Sequence, residues 1–362
     1  MASNEQQAKN AIVSIAKAPL GRRTLPTIDF KPDRALTDKL PVDMVMTDYR
    51  VTLEGTIYPS WTAGTPVANK NGVVEALIEH IKIEASSKTE KKLTPAQIRF
   101  LRKFVYAKTC KAWHKVNGTD LKGVTSQSNF SFGASNEPIY IKETINIPMS
   151  LFISTRPHLC YFDTSKHLQT NVSFQAHDFK NLLDPSSTAE NFKIVDHDLK
   201  IKAYAITSDA DLGKPFLRFR QDSTEEVFSG ANKSRRMDIK RASKLMGFTL
   251  EVNKVDTDGN KYPISIDEAR GVEFSIMANG QTTRSGKISL AQLIDENIDM
   301  SDLIESYTNR GYVALAQNGN PDSAEVTSLY NSYELLVDLD GDRLDFTTHE
   351  YSLVVHFDEI VA

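Results

Sequence analysis

Period-two alternation recurs along this chain and restricts its fold more than any other feature. In Glu143–Thr155, residues Ile145, Ile147, Met149, Leu151 and Ile153 fall on one side, and Asn146, Pro148, Ser150, Phe152 and Ser154 on the other. That is the period of a strand with one face in a core. Pro148 has no ladder donor and suits an edge or a bulge. The same grammar places Val51, Leu53, Gly55 and Ile57 on one face, then Leu168, Thr170, Val172, Phe174 and Ala176, then Leu199, Ile201, Ala203 and Ala205. It returns in Phe248, Leu250 and Val252, in Tyr333, Leu335, Val337 and Leu339, and in Tyr351, Leu353, Val355 and Phe357. The expectation is an all-β chain of two consecutive units.

A length of 362 residues exceeds what one core usually serves. We expect an N-terminal helix and extended arm over 1–48, a first domain over 49–207, a link over 208–236 and a second domain over 237–362. A net charge of −4 argues against a protein that coats nucleic acid. Charge is uneven, however: Lys88 to Lys122 carries ten Lys or Arg against Glu90 and Asp120, a local excess of +8 that leaves −12 for the remainder. Cys110 and Cys160 make no disulfide framework, so a reducing compartment is expected. No basic segment precedes an apolar run at the start, and no stretch approaches the roughly 20 apolar residues that cross a bilayer; a soluble protein without a secretion signal is expected.

Residues 1–18 read as a short helix, with Ser3 and Gln6 at capping-box spacing, Ala8, Ala11, Ile12 and Ile15 on one face, and Pro19 as its stop. Such a helix is marginal alone and needs something to dock on, a membrane surface or a partner subunit. Prolines 19, 26, 32 and 41 keep Pro19–Asp48 extended, an arm lying along the protein or a neighbour. A helical turn is expected over Val73–Leu77 and a strand over Ile78–Ala85. Thr94 and Pro95 open a helix running to about 115, with Ile98, Leu101, Val105 and Ala112 inward and basic residues on the other side. A second connection helix is expected over Ser289–Tyr307, and hairpin turns at Asp258-Gly259 and Asp340-Gly341.

No constellation for catalysis or metal binding emerges. The eight histidines form no H-x-H, HExxH or H-x-x-E-H step. Asp256 to Asn260 and Asp338 to Asp342 resemble fragments of calcium loops but lack the distal Glu, so turns are the favoured reading. Ser285 to Ile288 lacks the glycine and hydroxyl of a phosphate loop, and no G-x-S-x-G elbow occurs. The basic helix, with Phe100, Phe104, Tyr106 and Trp113 interleaved, could touch nucleic acid or lipid headgroups; a solvated face or subunit contact is favoured.

The segments DYRVTLEGTIYPS, TPAQIRFLRKFVYAKT, ETINIPMSLFIST, HLQTNVSFQAHDF, HDLKIKAYAIT, SYELLVDLDG and EYSLVVHFDEIV, taken in this order, resemble the double jelly-roll major capsid proteins. These build tailless icosahedral phages of the tectivirus and corticovirus type, which enclose an internal membrane, and are distantly similar to adenovirus hexon. The resemblance implies two tandem eight-stranded jelly-roll barrels with short connection helices and an N-terminal helical arm. It further implies a homotrimeric, pseudo-hexagonal capsomer in the virion shell, made and assembled in the host cytoplasm. Its partners would be further copies of itself, penton or minor capsid proteins, and the viral membrane through the arm, with no specific nucleic acid. Lys9, Lys17, Arg22 and Arg23 would then face the membrane. Neither enzymatic activity, a cofactor nor a metal is expected. The alternative is a two-domain β-sandwich carbohydrate-binding protein or adhesin, and, less favoured, a β-sandwich glycan-active enzyme with two carboxylates about 5–9 Å apart.

Overall fold

Alternating residues become strands whose apolar sides meet in two separate cores. The computed structural model describes residues 14, 17–69, 72–101, 130–151, 157–210, 217–241, 243–257, 259, 261–283, 286–301, 307–316 and 320–361. The N-terminal helix (apart from Ser14, Lys17 and Ala18), residues 102–129 of the basic helix and its following loop, and Asp258 lie outside them. The described residues divide between Phe219 and Arg220 into two compact units.

In chain order the first unit carries β1 (Leu20–Thr24), β2 (Ile28–Asp29), β3 (Ala35–Leu40), β4 (Val45–Ser60), helix α1 (Val73–Leu77), β5 (Ile78–Ala85) and β6 (Lys88–Leu93). Helix α2 (Pro95–Leu101), β7 (Ile139–Pro148), β8 (Phe162–Asp163), β9 (Thr170–Ala176), β10 (Lys193–His197) and β11 (Lys200–Ser208) complete it. One layer runs β1–β11–β4–β7, with β2 beside β11 and with β8 and β10 beside β4. The other runs β3–β9–β5–β6. Cross-strand register stacks Ala205, Tyr49 and Ile147 in one inward row and Ala203, Val51 and Ile145 in the next. These residues share one hydrophobic cluster with Ile81, Ile83, Val172 and Phe174 of the opposite layer, each fully buried aliphatic or aromatic side chain stabilising by roughly 1.5–3 kcal/mol.

The stretch expected to be an extended arm along the protein or a neighbour is built into this unit as β1, β2 and β3. Pro26 and Pro32 fall between these strands and Pro41 just after β3, where a missing donor costs nothing. Helix α1 and strand β5 have the expected bounds. Thr94 caps α2, its Oγ1 accepting from the Gln97 amide at 3.0 Å, and Ile98 and Leu101 are buried. Leu168, expected as the first inward residue of its strand, is excluded from it: β9 begins at Thr170, and the Leu168 amide turns away to donate to Ser86 Oγ at 3.2 Å.

The second unit holds most of β12 (Arg218–Phe228), then β13 (Ser234–Asp238), β14 (Lys244–Val255), β15 (Lys261–Pro263), helix α3 (Ile266–Ala269) and β16 (Val272–Ala278). There follow β17 (Gln281–Thr282), β18 (Ile288–Ser289), helix α4 (Leu290–Ser301), β19 (Arg310–Ala314), β20 (Glu325–Val326), β21 (Tyr333–Leu339) and β22 (Glu350–Val361). Its layers are β12–β22–β14, continued by β19 and β20 beside β14, and β13–β21–β16, continued by β17 and β18. In its main strands this is the pairing scheme of the first unit, with β12, β22, β14 and β19 in the places of β1, β11, β4 and β7, and β13, β21 and β16 in those of β3, β9 and β5. β4 and β14 hold equivalent central places, and α2 and α4 sit in equivalent connections, each leading into a strand beside that centre. Ser289 and Gln292 close α4 reciprocally, as a capping box does. Between β14 and β15, which pair antiparallel, the Gly259 amide donates to the Asp256 carbonyl at 3.0 Å. Asp340-Gly341 is not a hairpin. The Asp340 carbonyl accepts from the Arg343 and Leu344 amides in a single turn, and the chain then crosses to pair β22 with β14 in the other layer.

Candidate functional site

Buried ionisable groups are where chemistry would be expected, and among the described residues several are held by contacts within the fold. Alternation carries Glu143 inward on β7, opposite Leu53. There its carboxylate accepts from the Val73 and Val74 amides at 2.6 and 3.0 Å, which leads the α1 helix, and from Arg99 of α2, which also pairs with Glu75 at 2.7 Å. Gly72 makes this possible: at φ 93, a Cβ on it would lie 2.9 Å from both carboxylate oxygens. Arg99, expected on an exposed basic face, is therefore buried as part of a clasp, and Phe100 beside it is buried too.

In the second unit Glu251 accepts from Arg310 at 2.8 Å and Asn253 at 3.0 Å, and its other oxygen lies 3.1 Å from His356 Nε2. Burial raises its carboxyl, yet Arg310 and the His356 hydrogen bond outweigh that and hold it far below the usual carboxylate range. Glu359 accepts from Ser243 at 2.6 Å and pairs with Arg220 at 3.0 Å. Burial pushes the Cys160 thiol up to about 12, which leaves it protonated and inert. Among the described residues no group of three His, Cys, Asp or Glu could hold a metal ion.

What remains is surface. On the outward face of the β1–β11–β4–β7 layer, Glu54 accepts from the Tyr140 hydroxyl at 2.7 Å and meets Lys202 at 3.2 Å. Those two contacts, Tyr140 first, lower its carboxyl pKa. Beyond Glu54 this face carries exposed apolar side chains, Tyr58, Tyr140 and Val195. Behind them an edge-to-face series runs from Trp61 through Phe132 to Phe192, with centroids 6.2 and 5.4 Å apart. The face thus mixes these apolar side chains with the exposed Lys142 and Lys202 that meet Glu54.

Of the cations assigned to a membrane, Lys9 lies outside the described residues and Lys17 is exposed. Arg22 and Arg23 alternate on β1 and diverge. Arg22 stacks 3.7 Å above the Tyr204 ring, while Arg23 pairs with Asp43 at 2.6 Å in the β3–β4 turn. They form no common cationic pocket. The apolar residues Leu20 and Val42 are exposed at this same end, where β1 begins and β3 turns into β4. Sequence periodicity could not flag the Tyr58, Tyr140 and Val195 face, because these residues come together only through strand pairing.

No protein-family model and no curated protein matches the sequence. Solved structures do match in fold. A chain of the atomic structure of Sulfolobus turreted icosahedral virus aligns with a TM-score of 0.63 at 12% identity, covering 94% of this chain and 90% of that one. The major capsid protein P2 of bacteriophage PM2 aligns at 0.55 and 8% identity, over 95% and 98%. A chain of the PBCV-1 virus capsid aligns at 0.56 and 10%, over 95% and 94%. With two units of one pairing scheme and this likeness along nearly its whole length, the chain has the double jelly-roll fold seen in viral major capsid proteins.

Proposed function

We propose that this protein is the major capsid protein of an icosahedral virus, a structural subunit with no catalytic role. The observation that carries the reading is the repetition of one two-layer pairing scheme, in β1–β11 and again in β12–β22, in a single chain. Three such chains supply six similar barrels, and six barrels give a near-hexagonal outline that tiles a shell. Jelly rolls pair away most strand edges and leave stiff walls for lateral contact, and the Tyr58, Tyr140 and Val195 face supplies apolar area suited to it. In this reading the chain forms a homotrimer, packs against further trimers and minor capsid proteins, and is assembled in the host cytoplasm. The shell surrounds an internal membrane, toward which the N-terminal segment with Lys9, Lys17, Arg22 and Arg23 is directed. Size-exclusion chromatography with light scattering tests the trimer: the mass of three 40.5 kDa chains is expected, and a monomer at every concentration overturns it.

A further inference from the structure

The repeated pairing scheme leaves one strand edge covered in the first unit and the matching edge open in the second. β6 and the pair β17 and β18 hold equivalent places: β6 lies beside β5 and leads into α2, while β18 lies beside β16 and leads into α4. On the side of β6 away from β5 lie Arg218 and Phe219, the last residues of the first unit. Arg218 pairs with Glu90, and the Lys91 ammonium sits 4.2 Å from the centre of the Phe219 ring. Glu90, Lys91 and Phe219 are all buried. Among the described residues β17 and β18 pair with β16 alone, and β17 is exposed. Counted back from the capping residues Thr94 and Ser289, the place of Lys91 falls on Gly286, where an added Cβ would meet no atom within 4 Å.

Register names the residue that fits this open edge. β4 and β14 each carry one extra residue, Thr47 and Met246, just past the inward pairs Tyr49–Ala205 and Phe248–Phe357. Ile206 of β11 therefore corresponds to Asp358 of β22, and Ser208 to Ile360. Arg22 and Leu20 of β1 lie opposite Ile206 and Ser208. On β12, Gln221 meets Asp358 at 2.7 Å and Arg220 meets Glu359 at 3.0 Å, so Gln221 stands where Arg22 does and Phe219 where Leu20 does. Phe219 is 4% exposed against β6, whereas Leu20 is 44% exposed. β1 is itself an edge, paired with β11 alone among the described residues. Open edges are templates for another strand, and the strand that carries Leu20 in the register of Phe219 belongs to a further copy of this chain.

We infer that β1 of one copy, with Leu20 as its apolar plug, docks along the β17 and β18 edge of a second copy and repeats the contact that Phe219 makes with β6. This rests on the capsomer reading above and names the surfaces that join its chains. The contact is head-to-tail, and in a capsomer it closes into a ring of three. The test is cross-linking and light scattering of the full-length chain. In L20C/G286C a short bis-maleimide is expected to join chains in bands of two and three and no higher, while L20C alone and G286C alone stay at the background set by Cys110 and Cys160. Leu20→Asp raises the concentration at which trimers dissociate by at least about tenfold, from the loss of one buried leucine, and leaves the far-ultraviolet circular dichroism unchanged. Leu20→Phe, which copies Phe219, keeps the trimer. Wild-type trimers whose L20C/G286C form gives no bands between chains, or whose Leu20→Asp form dissociates at the wild-type concentration, overturn the inference and leave the capsomer standing. A ladder continuing past three chains instead overturns the capsomer and leaves the edge contact standing. A wild-type monomer at every concentration overturns both.

Discussion

Replacing Glu143 by Gln tests whether the first barrel is rigid because its buried charges are locked. The substitution keeps volume and shape but turns an acceptor-only group into one that presents an NH2 on one side. That side faces either the Val73 and Val74 amides or the Arg99 guanidinium, all of which need an acceptor. Arg99, with a side chain only 9% exposed, keeps Glu75 but loses its second carboxylate. Breaking a buried pair by removing one partner costs about 3–5 kcal/mol. For a unit near 200 residues, each kcal/mol moves the melting temperature roughly 2–4 °C, so a fall on the order of 10 °C is expected. Calorimetry reads the shift, and hydrogen exchange reads its place, with the Val73 and Val74 amides losing protection. The double variant E143L/R99M removes both buried charges together but leaves the Val73 and Val74 amides without their acceptor, so it is expected to recover only part of the loss. If E143Q melts within about 1 °C of wild type and those amides stay protected, the clasp contributes nothing and the reasoning fails.

Other outcomes follow from the same geometry. Gly72→Ala puts a Cβ 2.9 Å from both Glu143 oxygens at a φ of 93, so it should destabilise by at least about 1–3 kcal/mol, visible as a lower urea midpoint. Glu251 has its carboxyl lowered in the folded state from the usual 4.5. Its stabilisation is therefore complete above that value and is lost as pH falls toward the folded one. The melting temperature of wild type should drop below about pH 5 and approach that of E251Q, whereas the two differ most near neutrality; parallel curves across that range would contradict this. Cys160, with its thiol pushed up to about 12, should resist iodoacetamide at pH 8 in the folded protein and react after unfolding, as read by peptide mass mapping.

Much of this architecture is legible in the sequence because it is written in local alternation. Tyr49 to Ile57, Ile145 to Leu151, Leu199 to Ala205 and Tyr351 to Phe357 each place their inward set in a core as their spacing requires. The change of period at Leu77 and Ile78 marks where α1 gives way to β5. What escaped reading is non-local. β1 reads LGRRT, has no apolar face, and is a strand because β11 offers it a ladder. β12 mixes Arg, Asp and Glu with Phe along its length, so no periodicity announces it. Glu143 sits in the inward set of its own strand, and a carboxylate there makes sense only once α1 and α2 bring their donors to it. Leu168 continues the period of β9 on paper, but the pairing of β9 with β3 and β5 stops at Thr170, and beyond that point spacing no longer decides orientation.

Electron microscopy of the purified full-length chain tests the central claim most directly. The account predicts uniform particles of hexagonal outline, each resolving into six lobes from three chains. Separate two-lobed particles, one chain each, at concentrations where the protein is otherwise folded would contradict it.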